Sequence, residues 1–128
     1  MLVSTKEIFE VARKRGFGIP APNFYNSDSI KTYIETAAKN NFPVIVSFAE
    51  VHLELMSMEE AAEMGKFYAN KYNIPVALHL DHGMTYSVII NAIKNGFTSV
   101  MIDASSQSFD ENVRLTKEIV KAAHAVNV

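Results

Sequence analysis

Asp81 and His82 stand side by side in the run Leu-His-Leu-Asp-His-Gly, at the end of an apolar stretch. A carboxylate beside a neutral imidazole places an acid/base group and a metal ligand in adjacent positions. Neighbouring strand residues face opposite sides, so both reach one site only where His82 has already left the strand. Gly83 follows and permits that bend. His79 lies three residues before His82. On a strand that spacing separates their faces, and His79 reads as a satisfied interior histidine. Asp103 closes a second apolar run and Asn23 a third. Cysteine is absent, so any metal must be held by imidazole and carboxylate groups. His52 falls in a loop and His124 near a helix end, and both read as surface residues.

Elements with two alternating periodicities position these groups. Ser4 opens a capping box with Glu7, and a helix runs to Arg15, where Gly16 stops it. Gly18 to Asn23 is extended, since Pro20 and Pro22 exclude a helix. Ser27 and Asp28 offer caps for a helix to about Asn40, with Ile30, Tyr33, Ile34 and Ala37 on one face. Pro43 to Phe48 reads as a buried strand, and Ser57 with Glu60 caps a helix through Tyr72. Pro75 to Leu80 is the next strand, followed by a helix from Thr85 to Asn95-Gly96. Ser99 to Asp103 is the last strand. Ser108 and Glu111 cap a helix to about Val126, and a further strand is expected to begin at Asn127-Val128.

Strand followed by helix, repeated along the chain, demands parallel pairing with right-handed crossovers. An open doubly wound sheet and part of a (β/α) barrel both satisfy that order. In either, ligands bind beyond the C-terminal strand ends. The polar residues collect there: Asn23, Ser47 to Glu50, Asp81 to Gly83, and Asp103 to Ser105. Taken singly, Ser47, Glu50 and Ser105 are ordinary turn residues. Several such ends on one rim point to a site.

The 128 residues make a single domain, with 48% hydrophobic and 20% charged residues and a net charge of −2. No basic run exists, which argues against nucleic acid or an anionic membrane as partners. The apolar runs are too short to span a bilayer, and the opening residues do not form a signal peptide. A cytoplasmic location is expected. Every lysine falls in a helix or at its end. A Schiff-base lysine is desolvated inside a barrel, so carbon–carbon cleavage by this chain would need a metal as its electron sink.

The run Pro75 to Gly83, then Ala92-Ile-Lys-Asn-Gly-Phe-Thr-Ser-Val-Met-Ile-Asp103, then Phe109 to Val120 resembles class II fructose- and tagatose-bisphosphate aldolases. Ala21-Pro-Asn-Phe-Tyr-Asn26 resembles their first strand end, and Phe42 to Val46 their second strand. The resemblance covers nearly the whole chain and implies the first four βα units of a (β/α)8 barrel behind an N-terminal helix. It implies His82 as a Zn2+ ligand and Asp81 as the acid/base that moves the proton at the scissile carbinol oxygen. Asn23 would lie in the substrate site, and Asp103 beside the metal or at an alternate metal position. Zinc would stabilise the negative charge left on the dihydroxyacetone-phosphate part.

Two departures stand out. Ala49-Glu50-Val51-His52-Leu53 replaces the hydroxyl residue and glycines usual after the second strand. Further zinc histidines and Gly-rich phosphate loops belong to the second half of the family's barrel, which this sequence does not include. The expected partners are a phosphorylated ketose and either the remaining half-barrel or another copy in a homo-oligomer. The alternative is a non-catalytic half-barrel that associates through unpaired strand edges.

Overall fold

The computed structural model describes residues 1–128. Helix α1 (Thr5–Arg15) is followed by α2 (Ser27–Lys39), β1 (Val44–Ala49) and a 3-10 turn (Glu50–Glu54). Then come α3 (Met58–Lys71), β2 (Val76–Gly83), α4 (Tyr86–Asn95), β3 (Ser99–Ile102) and α5 (Phe109–His124).

The helix ends follow local chemistry. Ser4 with Glu7 and Ser57 with Glu60 form complete capping boxes, and Thr85 caps α4. Gly16 and Gly96 close α1 and α4 in the left-handed conformation, which glycine adopts without a Cβ penalty. Helix α2 begins one residue before the expected caps. Asn26 accepts the Ser29 N–H at 2.8 Å, and the Ser29 hydroxyl receives the Asn26 N–H. At α5 the box is half made: Ser108 accepts from Glu111, whose carboxylate is taken instead by Arg114 at 2.7 Å. Helix α5 ends at His124, and Asn127 sits in a turn with φ 62°, so no strand begins there.

The three strands form one parallel sheet in the order β1-β2-β3. The expected first strand, Gly18 to Asn23, lies beside β1 as an extended segment with one isolated bridge, Asn23 to Ser47. Pro20 and Pro22 accept hydrogen bonds from Ile45 and Ser47, and Phe24 donates to Ser47. Neither proline has an N–H to return, so a regular ladder cannot form.

One sheet face, carrying Val44, Val46, Phe48, Val76, Leu78 and Leu80, packs under α2, α3 and α4 in the main core. The other face is covered at its base by α1, where Ile8 and Val3 pack on Ile45 and Ala77. Above that plug the same face turns polar at Ser47, His79 and Ser99, which lie level across the sheet. Strand β3 is the outer strand and none of its residues is fully buried. The layout is that of a half-barrel with its strand ends on one rim.

Candidate active site

The rim is shaped by a break in β2. Leu80 pairs with Val100 and Gly83 with Ile102, three steps along β2 against two along β3. The extra residue makes a bulge, a device that re-aims side chains. His82 carries it, with φ 50°, at a cost of roughly 1–2 kcal/mol for a residue with a Cβ. The bend expected at Gly83 is therefore made by His82 itself, and it turns the imidazole to the same rim as Asp81.

Gly83 serves space instead. A Cβ there would meet the Met101 carbonyl oxygen at 2.8 Å and Ile89 Cγ1 at 2.9 Å. The β3 backbone cannot yield without disturbing the Asp103 N–H bond to the Gly83 carbonyl, 2.8 Å long. Gly83→Ala should destabilise the fold by about 1–3 kcal/mol, as overpacking does, measured by urea unfolding. A loss below about 0.5 kcal/mol, typical of an indifferent surface change, would contradict this packing.

The four residues singled out by sequence meet in one line. Asn23 Nδ2 donates to Asp81 Oδ2 at 2.9 Å. Asp81 Oδ1 lies 3.8 Å from His82 Nε2, and His82 Nδ1 lies 2.7 Å from Asp103 Oδ2. An ionised carboxylate only accepts, so Nδ1 carries the proton in that bond and the neutral ring keeps its Nε2 lone pair. Asp103 Oδ1 in turn accepts the Ser105 N–H at 3.0 Å.

These contacts set the electrostatics. Hydrogen bonding by Asp103, then the charge of Asp81, raises the His82 pKa above its ordinary value. Ser105, through its hydroxyl first, then the His82 ring and the Ser105 N–H, hold Asp103 down to about 2. The charged pair therefore stabilises the fold fully between the ordinary values of 3.8 for Asp103 and 6.5 for His82. That support fades as pH rises through the raised His82 pKa, and again as pH falls towards the Asp103 value. In the metal-free chain, Asp103→Asn should bring the His82 pKa back down, followed by ring-proton NMR. An unchanged titration would remove Asp103 as the cause.

The other histidines divide. His79 is half-buried on the inner face, with Nδ1 2.8 Å from the Ser99 hydroxyl, and burial lowers its pKa. It is the satisfied interior histidine expected. His52 differs from its expected surface role. Its ring packs edge-on against Phe48 and Tyr25, with Nδ1 buried and without a partner. The 3-10 turn, unexpected from sequence, folds it back onto the core. His124 is exposed at the end of α5.

A hollow of about 620 Å³ opens beside His82 and Asp103, walled by Glu50, Leu53 and Met84. No cluster of three His, Asp or Glu side chains is placed to hold a metal. The rim does fit one metal contact. Asp103 fixes the His82 tautomer and presents Nε2 next to a second carboxylate, the carboxylate–histidine arrangement that orients metal ligands. Every lysine lies on a helix.

Fold and rim together define part of a (β/α) barrel with its polar groups at the strand ends, where barrel enzymes carry their sites. Residues 3–128 match the family model for fructose-bisphosphate aldolase class-II, and the chain belongs to that family. It is 43% identical to a fructose-bisphosphate aldolase of Helicobacter pylori and 41% identical to that of Thermus caldophilus. Each match covers 100% of this chain and 42% of the relative, in its N-terminal part. The crystal structure of the YdjI aldolase from Escherichia coli K12 superimposes with a TM-score of 0.94 at 34% identity. That match covers 100% of this chain and 49% of the other. The fructose-bisphosphate aldolase of Campylobacter jejuni gives a TM-score of 0.83 at 26% identity, over 99% and 45% of the two chains. The family is generally metal-dependent.

Proposed function

We propose that this chain forms the first half of a zinc-dependent ketose-bisphosphate aldolase. The reaction is reversible cleavage of fructose- or tagatose-1,6-bisphosphate to dihydroxyacetone phosphate and glyceraldehyde 3-phosphate. The observation that carries this reading is the His82–Asp103 bond, which leaves Nε2 facing the Asp81 carboxylate. His82 would hold zinc through Nε2, and Asp103 would orient it or hold an alternate metal position. Asp81 would take the proton from the carbinol oxygen as the carbon–carbon bond breaks, and return it in the condensation direction. Asn23 would fix the Asp81 carboxylate and contact substrate. Zinc, when bound, supplies Lewis-acid stabilisation of the charge left on the ketone-derived half.

The chain spans about 42% of the length of these relatives, so turnover is assigned to an assembly with the remaining βα units. The domain is the partial barrel 1–128. We place it in the cytoplasm, in carbohydrate metabolism. No helix is long and apolar enough to cross a membrane. The test is co-expression with the C-terminal portion of the Helicobacter pylori relative. Cleavage of either bisphosphate should appear, vanish on chelation and return with zinc. A stable assembly without zinc-dependent cleavage would sink the reading.

The open β3 edge supports a second reading, a non-catalytic module that associates with another copy. Dimers in sedimentation of the chain alone are its expected result. Monomers at tens of micromolar, about the range where standard-size interfaces hold, would remove it.

A further inference from the structure

Glu50 ties two strand ends of the rim together through its side chain. It opens the 3-10 turn immediately after β1 and is half-buried. Its Oε2 accepts the Met84 backbone N–H at 2.6 Å, across 34 positions of sequence. Met84 is two residues past His82, the residue held at φ 50° in the β2 bulge. On the opposite side, the Asp103 N–H donates to the Gly83 carbonyl at 2.8 Å. The peptides around Gly83 are thus gripped from both flanking strand ends, by a side chain from the β1 side and by backbone from the β3 side.

A left-handed histidine is not its own preferred state. Such a conformation persists only where its surroundings over-determine it. Of the two grips, the bond to Glu50 is charge-assisted, and such bonds are roughly twice as strong as neutral ones. We propose that Glu50 is a positioning residue for His82: by holding the Met84 N–H, it locks the bulge that aims the imidazole between Asp81 and Asp103. Without it the turn is free to relax towards extended backbone, which swings the ring off the Asp103 carboxylate. The consequence for zinc rests on the function proposed above, whereas the lock itself does not.

The test uses Glu50→Ala and Glu50→Gln, since the glutamine carboxamide oxygen can still accept the bond. In the metal-free chain, Met84 amide exchange should speed up roughly tenfold in Glu50→Ala, the loss of about one hydrogen bond. The His82 ring signals should shift with it, and Glu50→Gln should stay near the parent chain. Unchanged Met84 and His82 signals in Glu50→Ala would overturn the proposal, as would equal disturbance by both variants. In the assembly with the remaining units, zinc affinity should fall about 10–100-fold in Glu50→Ala and recover in Glu50→Gln. A disturbed turn with undiminished zinc affinity would keep the lock and remove His82 as the zinc holder.

Discussion

Asp81→Ala should lower the turnover number of the assembled barrel by about 10²–10⁴-fold, the range for a lost acid/base group, while zinc content should stay unchanged. The expectation follows from where Asp81 sits. It is the rim carboxylate that touches both the Asn23 amide, at 2.9 Å, and the His82 ring, at 3.8 Å. It is not needed to set the His82 tautomer, because Asp103 does that through Nδ1. On the proposed function, losing Asp81 would therefore remove the proton-transfer group and leave the His82–Asp103 pair in place. Asp81→Asn sharpens the point: it keeps the size and most of the packing but cannot act as a base at neutral pH. Both variants should lose turnover number with little change in KM, as expected for a group used in the transition state. Activity kept in Asp81→Asn would remove the base from this position.

The second large effect is on stability. Phe24→Ala should cost about 3–5 kcal/mol, the range for a buried aromatic truncation. That is a large part of the roughly 5–15 kcal/mol available to a domain. Phe24 is completely buried, with its ring 5.5 Å from that of Phe48. It anchors a segment in which two prolines lack the N–H groups a strand would use. Its backbone ties to β1 are the bonds accepted by Pro20 and Pro22 and the Phe24 N–H bond to Ser47. Asn23 is the residue before this anchor. Loss of the ring should therefore also free Asn23 from Asp81, seen as a shifted Asn23 side-chain amide signal. Urea unfolding measures the stability change, and a loss under about 1 kcal/mol would show that the segment is held otherwise.

Much of this was legible in the sequence wherever a few neighbouring residues decide the outcome. Ser4 with Glu7, Ser57 with Glu60 and Asn95-Gly96 mark helix ends because capping is settled within one turn. The apolar runs at Val44 and Val76 mark strands because burial on both faces leaves a continuous apolar signature. The rim was legible too, since each run ends on a polar residue at the same end of its strand. What was hidden depends on neighbours far along the chain. The bulge at His82 comes from the register of β2 against β3, and no local pattern encodes that register. Glu50 looked like a turn residue because its partner, the Met84 N–H, is a backbone group with no side-chain signature. The folding-back of His52 has no local sequence signal, because the 3-10 turn carrying it has no apolar period of its own. The extended shape of the Gly18 to Asn23 segment is encoded by Pro20 and Pro22, and the same residues deny it a ladder.

The measurement that reaches the central claim most directly is zinc stoichiometry in the assembled barrel, compared across three forms. The parent and Asp81→Ala should each carry one zinc per barrel, as a catalytic site with a few protein ligands does. His82→Ala should lose it, together with turnover. Full zinc occupancy and turnover in His82→Ala would contradict the assignment of this rim as the catalytic centre.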